Sequence, residues 1–529
     1  MEIIDTDVVI IGSGIAGLRG ALEASRKGKR VLLVSKAPVG KANNTYLAGG
    51  LFAYAAHGDY LDKHIQKTLQ SGRSLNNRAL VERFAREAPA MVKELSRMGM
   101  GGTTHKLGLV TRQSGLIGGP HITPPLIKAC RDAGVVSLEG IMVTDLILDH
   151  RSCCGAVGFH KRNGKLFGFR ACAVLLATGG AGAIYAQNDN APGLTGDGYV
   201  LAMKAGLELM DMEFVQFYPM VRAKGGQARM IVPAVLADLG RITNRMGEDL
   251  KEKYNLIEKP IALASRDQFA RALFREISQR NDVHGGIQLD LRDVKESEIP
   301  FNEKTKDVLK RIFSYDKKPI RIAPSCHHTM GGLTIDESGR TSVAGLFAAG
   351  EVVGGIHGAN RMGGNALSES LVFGALAARS AVEYADSKRP SSEFRALAEE
   401  TVKNSFGQRL DSKEKPSNAS YLMDELKQVL WEKAGIIRNE LSLKETLHRI
   451  DEIFAELQEL RTNTTQGLCR ILEATNAALV GRAIVISALE RTESRGSHFR
   501  EDFPEEDEDW LKHIHSAMVQ NLPQIARII

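Results

Sequence analysis

The chain begins with an apolar run, a glycine-rich turn and a second apolar run, the hydrophobic pattern of a βαβ unit. Asp7 to Ile11 predict a buried parallel strand, and a helix follows the turn as far as Arg26. Arg30 to Val34 predict the second strand. Two later apolar runs, Ala171 to Ala177 and Gly345 to Ala349, also end at small residues, where a ligand can approach the backbone. These patterns predict an α/β fold.

Two stretches differ from this α/β pattern. Residues 226–324 carry more charge and helical periodicity, with one strand-like patch at Gly286 to Leu291, and are interpreted as an inserted α+β capping domain. From residue 391 the pattern is mainly helical, with a loop predicted at Ser412 to Pro416. The predicted domains are a Rossmann-like nucleotide-binding domain in two parts, 1–225 and 325–390, the capping domain, 226–324, and a C-terminal helical domain, 391–529.

Composition narrows the class of protein. The 529 residues are too many for one compact core, and 43% hydrophobic and 25% charged residues are normal for a globular protein. The net charge of +6 is spread without a basic block, so nucleic-acid binding is not indicated. None of the six cysteines forms a C-x-x-C pair, so no metal site and no disulfide framework are expected, and a reducing cytoplasmic compartment fits best.

The N-terminal residues and the apolar runs indicate whether a signal peptide or a membrane-spanning segment is expected. The strand pattern starts at Asp7, which leaves no room for a signal peptide. No uninterrupted apolar run reaches the length that spans a bilayer, so direct membrane insertion is not expected.

The first turn carries the spacing G-x-G-x-x-G and reads Gly12-Ser13-Gly14-Ile15-Ala16-Gly17. The first glycine permits the tight turn, the second lets a pyrophosphate approach the backbone, and the third lets helix and strand pack closely. Because a strand precedes it and a helix follows, the turn predicts a dinucleotide site. The acidic residue that would hold an NAD ribose is replaced by Ser35 and Lys36, which weakens the case for NAD and is compatible with FAD.

Three further segments favour a flavin, because so long a cofactor needs several chain segments along its length. Each places a small or acidic residue beside a glycine, and they are Ala177-Thr178-Gly179-Gly180, Thr195-Gly196-Asp197-Gly198 and Ala348-Ala349-Gly350-Glu351. The carboxylate of Glu351 is suited to a ribityl hydroxyl. The predicted cofactor is FAD.

Three segments resemble the flavoprotein subunit family of succinate dehydrogenase and fumarate reductase, which also contains L-aspartate oxidase. They are Pro324 to Gly332, His357 to Asn365 and Glu493 to Pro504. The resemblance extends from the first strand to about residue 511 and implies the same three domains. We also assign to the cofactor site Ala48, Gly49, Gly50, Asn365, Ala366 and Leu367.

By this resemblance, His327 and Arg361 bind a substrate carboxylate. The chemistry is sensible, because an arginine fork grips a carboxylate bidentately and a neighbouring histidine donates a hydrogen bond that helps to polarise the substrate. The reacting carbon would lie over flavin N5 for hydride transfer. The alternative for each residue is a buried structural cation.

The chain departs from the family at the flavin. Succinate dehydrogenases attach the flavin covalently to a histidine near the second strand. The comparable stretch here, Asn43 to Gly50, contains no histidine, so FAD is expected to be non-covalent.

The chain also departs from the family at the substrate. Tyr218 replaces the histidine of the family's Q-F-H-P-T segment. In the family's next segment, T-E-G-x-R-G-E-G-G, the Thr, the first Glu and the Arg are replaced by Val232, Pro233 and Leu236. The Arg of that segment is taken as the family's proton donor. Either another residue supplies the proton, or the substrate is a carboxylate other than fumarate or succinate with a different distal end, which is slightly favoured. The candidates for another proton donor are Tyr218, Asp238 and Arg241. Tyr218 is equally compatible with plain core packing.

The expected function is FAD-dependent hydride transfer at the carbons beside a carboxylate, with electrons exchanged with a separate iron–sulfur partner. One alternative is an oxidase of the L-aspartate oxidase kind. The other is a non-catalytic electron-relay subunit, which Leu236 motivates. The expected location is the cytoplasm, or the inner face of a membrane through partner subunits.

Overall fold

The structure is a computed structural model that describes residues 1–106, 108–111, 118–224, 227–410 and 418–529. The predicted loop at Ser412 to Pro416 lies outside these residues. In chain order the described strands are β1 (Glu2–Asp5), β2 (Val8–Ile11), β3 (Val31–Ser35), β4 (Leu51–Ala53), β5 (Gly102–His105), β6 (Gly108–Thr111), β7 (Val136–Glu139), β8 (Ile141–Asp149), β9 (Ser152–His160), β10 (Leu166–Arg170), β11 (Ala173–Leu176), β12 (Leu209–Met210), β13 (Val215–Lys224), β14 (Gln227–Ile231), β15 (Arg241–Thr243), β16 (Ile287–Asp290), β17 (Ile320–Thr329), β18 (Gly332–Leu333), β19 (Leu346–Ala348), β20 (Ile514–Val519) and β21 (Leu522–Ile528).

The described helices are α1 (Ile15–Arg26), α2 (Asn44–Leu47), α3 (Leu61–Ser71), α4 (Arg78–Arg97), α5 (Gly119–Asp132), α6 (Asp197–Lys204), α7 (Leu236–Leu239), α8 (Leu250–Lys253), α9 (Ile261–Ala264), α10 (Arg266–Ser278), α11 (Glu303–Phe313), α12 (Asn365–Asp386), α13 (Phe394–Ser405), α14 (Ala419–Lys433), α15 (Glu440–Glu459) and α16 (Thr465–Glu490).

A five-stranded parallel sheet forms the centre of the fold, in the order β19-β11-β2-β3-β7. Its middle strands are buried and, apart from Ser35 at the end of β3, apolar, as expected for a parallel sheet covered on both faces. Helices α1 and α12 pack so closely that a Cβ on Gly374 would lie 2.5 Å from the carbonyl oxygen of Ala16. The predicted α/β fold class is confirmed.

A second, antiparallel sheet in the order β14-β13-β17-β16-β15 carries the predicted capping region. Only β16 coincides with the strand-like patch that the sequence predicts. The long strand β13 pairs with β17, about a hundred residues later in the chain, and register shifts interrupt the pairing. Such irregular, distant pairing leaves little local pattern in the sequence. The predicted domain boundaries remain a prediction.

The C-terminal region combines helices with a hairpin. Helices α14, α15 and α16 pack together, and β20 and β21 form an antiparallel pair that joins β12 and β18 in a four-stranded sheet. The mainly helical prediction misses this hairpin, because its partner strand β12 lies some 300 residues earlier in the chain.

Helix α16 is the one described helix that is long and apolar enough, by length and composition alone, to cross a membrane. It is not an uninterrupted apolar run, since Glu473 and Arg482 lie within it. Because 72% of its most apolar stretch is buried inside the protein, packing against α14 and α15 accounts for its composition.

Candidate active site

A cavity of about 410 Å³ lies at the carboxyl ends of the central strands, where ligands of open α/β sheets bind. It brings together most of the residues that the sequence predicts for the cofactor and the substrate. These lining residues are Gly12, Gly14, Ile15, Ala16, Ser35, Lys36, Ala48, Gly49, Gly50, Ala177, Thr178, Gly179, Asp197, Tyr218, His327, Gly350, Glu351, Arg361, Ala366 and Leu367.

The glycine turn after β2 forms one end of the cavity. Gly12 has a φ of +112°, and a Cβ there would lie 2.1 Å from the carbonyl oxygen of Ala177. Gly14 has no side chain to cap helix α1; the N–H of Ile15 donates to Thr45 Oγ1 at 3.0 Å, and the positive end of the helix faces the cavity. Thr178 adds a hydroxyl that is buried without a hydrogen-bond partner among the described residues. This end of the cavity therefore fits the pyrophosphate and ribose of a dinucleotide.

Gly12→Ala is expected to cost about 1–3 kcal/mol in backbone strain and to reduce the amount of FAD that the purified protein retains. Gly28→Ala is the matched control, because Gly28 also has a positive φ (+81°) but nothing lies within 4 Å of its Cβ position. Flavin absorbance per mole of protein and the melting temperature measure both effects. Equal flavin loss in the two variants would contradict a specific role for the close approach at Gly12.

Lys36 and Asp197 form an ion pair beside the same end of the cavity. Lys36 Nζ lies 2.6 Å from Asp197 Oδ2 and 3.0 Å from Glu473 Oε1. Burial raises the pKa of Asp197, but Lys36 and the hydrogen bonds from Asn476 and Thr195 outweigh it and bring the pKa below its ordinary value. Both residues line the cavity as ions, and their contacts with the cofactor remain a prediction.

Gly17, Asn365 and Asp238 are predicted site residues that lie outside the cavity lining. A Cβ on Gly17 would lie 1.9 Å from the carbonyl oxygen of Gly12, so Gly17 serves the close packing of α1. The fully buried side chain of Asn365 hydrogen-bonds to His64 and Thr68. Asp238, proposed from the sequence as a proton donor, instead accepts the backbone N–H of Ile261 at the start of α9. The structure thus does not bring Asp238 to the reacting end.

Arg361 lies at the other end of the cavity. It is 6% exposed, and its Nη2 donates to Gln216 Oε1 at 2.9 Å, while its Nε is buried without a partner among the described residues. Burial, and then the nearby Arg266, lower the pKa of Arg361 to about 10. The guanidinium is therefore charged at neutral pH, with donor capacity left for an anion.

His327, on β17, lines the cavity, and its ring contacts the carboxylate of Asp189. Its Nδ1 lies 2.8 Å from Asp189 Oδ2. Tyr218 lies on the paired strand β13, and the centroid of its ring is 5.5 Å from the centroid of the His327 ring. The sequence predicts His327 and Tyr218, but no local pattern marks Asp189, which reaches the site through the fold.

Arg266, the first residue of α10, is a functional candidate that the sequence analysis misses. It lines the cavity, is 5% exposed, and its Nη2 donates to Asn360 Oδ1 at 2.7 Å and to the carbonyl oxygen of Arg361 at 2.8 Å. Its Nε has no hydrogen-bond partner among the described residues, and Asp267 Oδ1 lies 3.9 Å from it. Burial lowers the pKa of Arg266 from its usual value.

Arg266 gives the cavity a second guanidinium, although Leu236 stands where the family has its arginine. The side chain of Leu236 is fully buried in the core of the capping region and does not line the cavity. The only sequence signal for Arg266 is one arginine at the start of an ordinary charged helix, which marks nothing by itself. Arg241, also named as a candidate donor, is exposed on the edge strand β15.

Two further histidines near the cationic end are held neutral. Burial, and then Arg361, lower the pKa of His357 to about 3 and that of His328 well below its usual value. Glu351, which lies 3.4 Å from His328, has its pKa raised by burial. The positive charge at this end of the cavity is therefore carried by arginines rather than by these two histidines.

Apolar and aromatic side chains line the part of the cavity next to Tyr218. The Tyr218 hydroxyl donates to the carbonyl oxygen of Val232 at 3.3 Å, and the neighbouring lining residues from β14 and α9 are Ile231 and Leu263. Burial raises the pKa of Tyr218, so its hydroxyl stays neutral. None of these three side chains carries a charge, although the guanidinium of Arg266 is near enough to Tyr218 to oppose the rise of its pKa.

A glycine-bounded dinucleotide cradle and two buried arginines line one cavity, an arrangement that fits a flavin-dependent oxidoreductase. A family model described as FAD binding domain matches residues 7–367, and one described as fumarate reductase flavoprotein C-term matches residues 423–526.

Individual relatives agree with these models. The chain is 35% identical to one of the subunits of fumarate reductase (CoM/CoB) from Methanothermobacter marburgensis, over 97% of each chain. It is 30% identical to L-aspartate oxidase of Streptomyces coelicolor, over 97% of this chain and 91% of that one. The solved structure of a variant of E. coli quinol fumarate reductase FrdA matches with a TM-score of 0.89 at 26% identity, covering 100% of this chain and 97% of that one.

The chain belongs to the family of FAD-dependent oxidoreductases that contains the flavoprotein subunits of succinate dehydrogenase and fumarate reductase together with L-aspartate oxidase. FAD is its cofactor. The resemblance that the sequence motifs predict is confirmed.

Proposed function

We propose that this protein reduces or oxidises the carbon–carbon bond beside the carboxylate of a small acid and exchanges the electrons with an iron–sulfur partner subunit. Bound FAD supplies the hydride chemistry. The observation that carries the proposal is the presence of Arg361, His327 and Arg266 in the same cavity as the dinucleotide cradle.

Arg361 and His327 are the residues we assign to the substrate carboxylate. Arg361 retains unpaired donor capacity at Nε, and the two side chains line one end of the cavity. A charged guanidinium and an imidazole N–H would together orient the acid and withdraw charge from the adjacent double bond.

Arg266 is the residue we assign to proton transfer. It is buried, its pKa is lowered by burial, and its Nε has no hydrogen-bond partner among the described residues. Each of these properties makes a guanidinium a better proton donor to a substrate carbon than an exposed arginine is. Leu236 therefore no longer motivates a non-catalytic relay subunit.

The distal end of the substrate is the feature in which we expect this protein to differ from a fumarate reductase. Tyr218, Ile231 and Leu263 line that part of the cavity, and none carries a charge. Arg266, which acts on the charge of Tyr218, is assigned to proton transfer, and the other three side chains would leave a second carboxylate without a partner, which would be costly. We infer a substrate with one carboxylate, an α,β-unsaturated acid or its saturated counterpart, and a neutral group at the other end.

Anaerobic reoxidation of the reduced flavin tests this substrate class. FAD-loaded protein is reduced with dithionite and mixed with but-2-enoate, larger 3-substituted propenoates, or fumarate, while flavin absorbance is followed. We expect a monocarboxylate to reoxidise the flavin faster than fumarate. Fastest reoxidation by fumarate would contradict the neutral distal end, and no reoxidation by any acid would favour the electron-relay alternative.

FAD is proposed to be held without a covalent bond. Asn44 lines the cavity in the stretch where the covalent histidine is expected, and its amide donates to Asn190 at 2.6 Å and to Glu351 at 3.2 Å. An amide nitrogen is not nucleophilic enough to form the bond that an imidazole forms.

Acid precipitation of the holoprotein is therefore expected to release all of the FAD into the supernatant. The absorbance of the washed pellet measures what remains bound. A yellow pellet that also retains flavin fluorescence after proteolysis would contradict the non-covalent assignment.

An oxidase of the L-aspartate oxidase kind is the second candidate. The 30% identity to such an enzyme and the absence of the covalent histidine favour it, whereas the neutral distal end disfavours a dicarboxylic amino acid. Peroxide formation with L-aspartate in air would support this candidate.

The proposed partner subunit is supported by relatives that are named as subunits. We propose a cytoplasmic location, with any membrane attachment through such partners.

A further inference from the structure

Asp189 is a buried acid that lines the cavity and to which the proposed chemistry assigns no role. It lies in the segment between Tyr185 and α6, and its side chain is 4% exposed. Its carboxylate oxygen Oδ2 lies 2.8 Å from Nδ1 of His327. This is the shortest contact between a histidine and a carboxylate among the described residues of the cavity, since His328 lies 3.4 Å from Glu351.

The backbone fixes Asp189 beside His327. Asn188 and Cys326 form a parallel bridge, the N–H of Asp189 donates to the carbonyl oxygen of Cys326 at 3.2 Å, and the N–H of Cys326 donates to Gln187 at 2.9 Å. Asn190 adds a side-chain hydrogen bond to the same carbonyl oxygen at 2.9 Å. The segment 187–190 is therefore held along β17, one residue from His327, and the carboxylate is not free to swing away.

An ionised carboxylate accepts hydrogen bonds only, so Nδ1 of His327 carries a proton. The other ring nitrogen, Nε2, has no hydrogen-bond partner among the described residues, and the ring is 25% exposed toward the cavity. Asp189 thus decides which nitrogen of His327 is available to a ligand and in which direction the ring points.

The charge of Asp189 also matters at this position. The titratable and charged groups around the His327 ring are Asp189, Glu351, Tyr218, His328, Arg266 and Arg361. Two guanidinium groups line the same cavity, so a protonated imidazole without a counter-ion would be repelled by both. The carboxylate at 2.8 Å offsets that repulsion when Nε2 donates to an anion.

We propose that Asp189 is a positioning residue that accepts the Nδ1–H of His327 and offsets the charge of the imidazolium form, in which Nε2–H donates to the substrate carboxylate. The benefit to substrate binding rests on the proposed function, whereas the contact between Asp189 and His327 does not. Asp189→Asn replaces a group that only accepts hydrogen bonds by an amide that both donates and accepts. The side chain then no longer requires a proton on Nδ1 of His327. Asp189→Glu keeps a carboxylate and is the conservative rescue.

Nuclear magnetic resonance of FAD-loaded protein with nitrogen-15-labelled histidine tests the contact directly. The ring N–H resonance of His327, identified by its loss in His327→Gln, is expected to be shifted downfield by the carboxylate. The shift is expected to be lost in Asp189→Asn and restored at least in part in Asp189→Glu. An unchanged resonance in Asp189→Asn would overturn the proposal.

Binding of but-2-enoate, followed by the change in flavin absorbance, tests the consequence. We expect Asp189→Asn to weaken binding about tenfold and Asp189→Glu to weaken it less, with FAD content and melting temperature unchanged in both. Equal affinity of wild type and Asp189→Asn would overturn the role in substrate binding. If but-2-enoate does not bind to wild-type protein, the proposed substrate class fails, and the resonance of His327 alone decides the role of Asp189.

Discussion

Arg361→Gln is expected to weaken binding of the substrate carboxylate about a hundredfold or more while the protein stays yellow. The reason is that two charge-assisted hydrogen bonds to one carboxylate are lost together. Arg361 contacts Gln216 and lies at the end of the cavity away from the glycine turn, so the dinucleotide cradle should be unaffected. Titration of the flavin absorbance with the acid identified by reoxidation gives the dissociation constant.

Arg361→Lys is the control for this prediction. It keeps the positive charge but not the planar fork, so its affinity should lie between those of Arg361→Gln and wild type. Loss of FAD from Arg361→Gln would instead identify Arg361 as a structural cation, the alternative that the sequence leaves open.

Arg266→Gln is expected to slow reoxidation of the reduced flavin by substrate about 100-fold to 10,000-fold, the range in which a positioned proton donor contributes. Binding of the acid should change far less, because Arg361 and His327 remain. Stopped-flow absorbance after mixing reduced holoprotein with saturating acid measures the rate. The rate of flavin reduction by dithionite, which needs no substrate proton, should not change.

Arg271→Gln is the matched control on the same helix. Arg271 lies one and a half turns further along α10 and lines a separate polar cavity together with Asp267 and Arg495. We expect it to reoxidise at the wild-type rate. Equal slowing in the two variants would point to a disturbed helix α10 rather than to a lost proton donor.

Local signals were sufficient for the cofactor half of the molecule. The strand–turn–helix from β2 through α1 depends on contacts between residues close in sequence, and Gly12 and Gly14 mark its turn. The same holds for the strand ends at Ala177 and Gly350, where an apolar run stops at small residues. These positions line one cavity because the carboxyl ends of parallel strands meet at one edge of a sheet.

The substrate half was predicted only in part. His327 and Arg361 stand in segments that resemble the family, so the resemblance assigns their roles without any knowledge of the fold. Asp238 falls on the second Glu of the family's motif, but its carboxylate accepts a backbone N–H at the start of α9 instead. Alignment with a motif position does not determine which way a side chain points once the chain has folded.

The amino-acid sequence by itself determined the α/β class, the dinucleotide turn, the flavin and the family, because each is recorded in short segments with strong local constraints. Tertiary structure alone decided which charges meet at the reacting end. Arg266 arrives on the first turn of a helix some hundred residues before Arg361, and Asp189 reaches His327 across 138 residues of chain. Contacts of that separation depend on how β13, β17 and α10 pack, which leaves no periodic trace in the sequence.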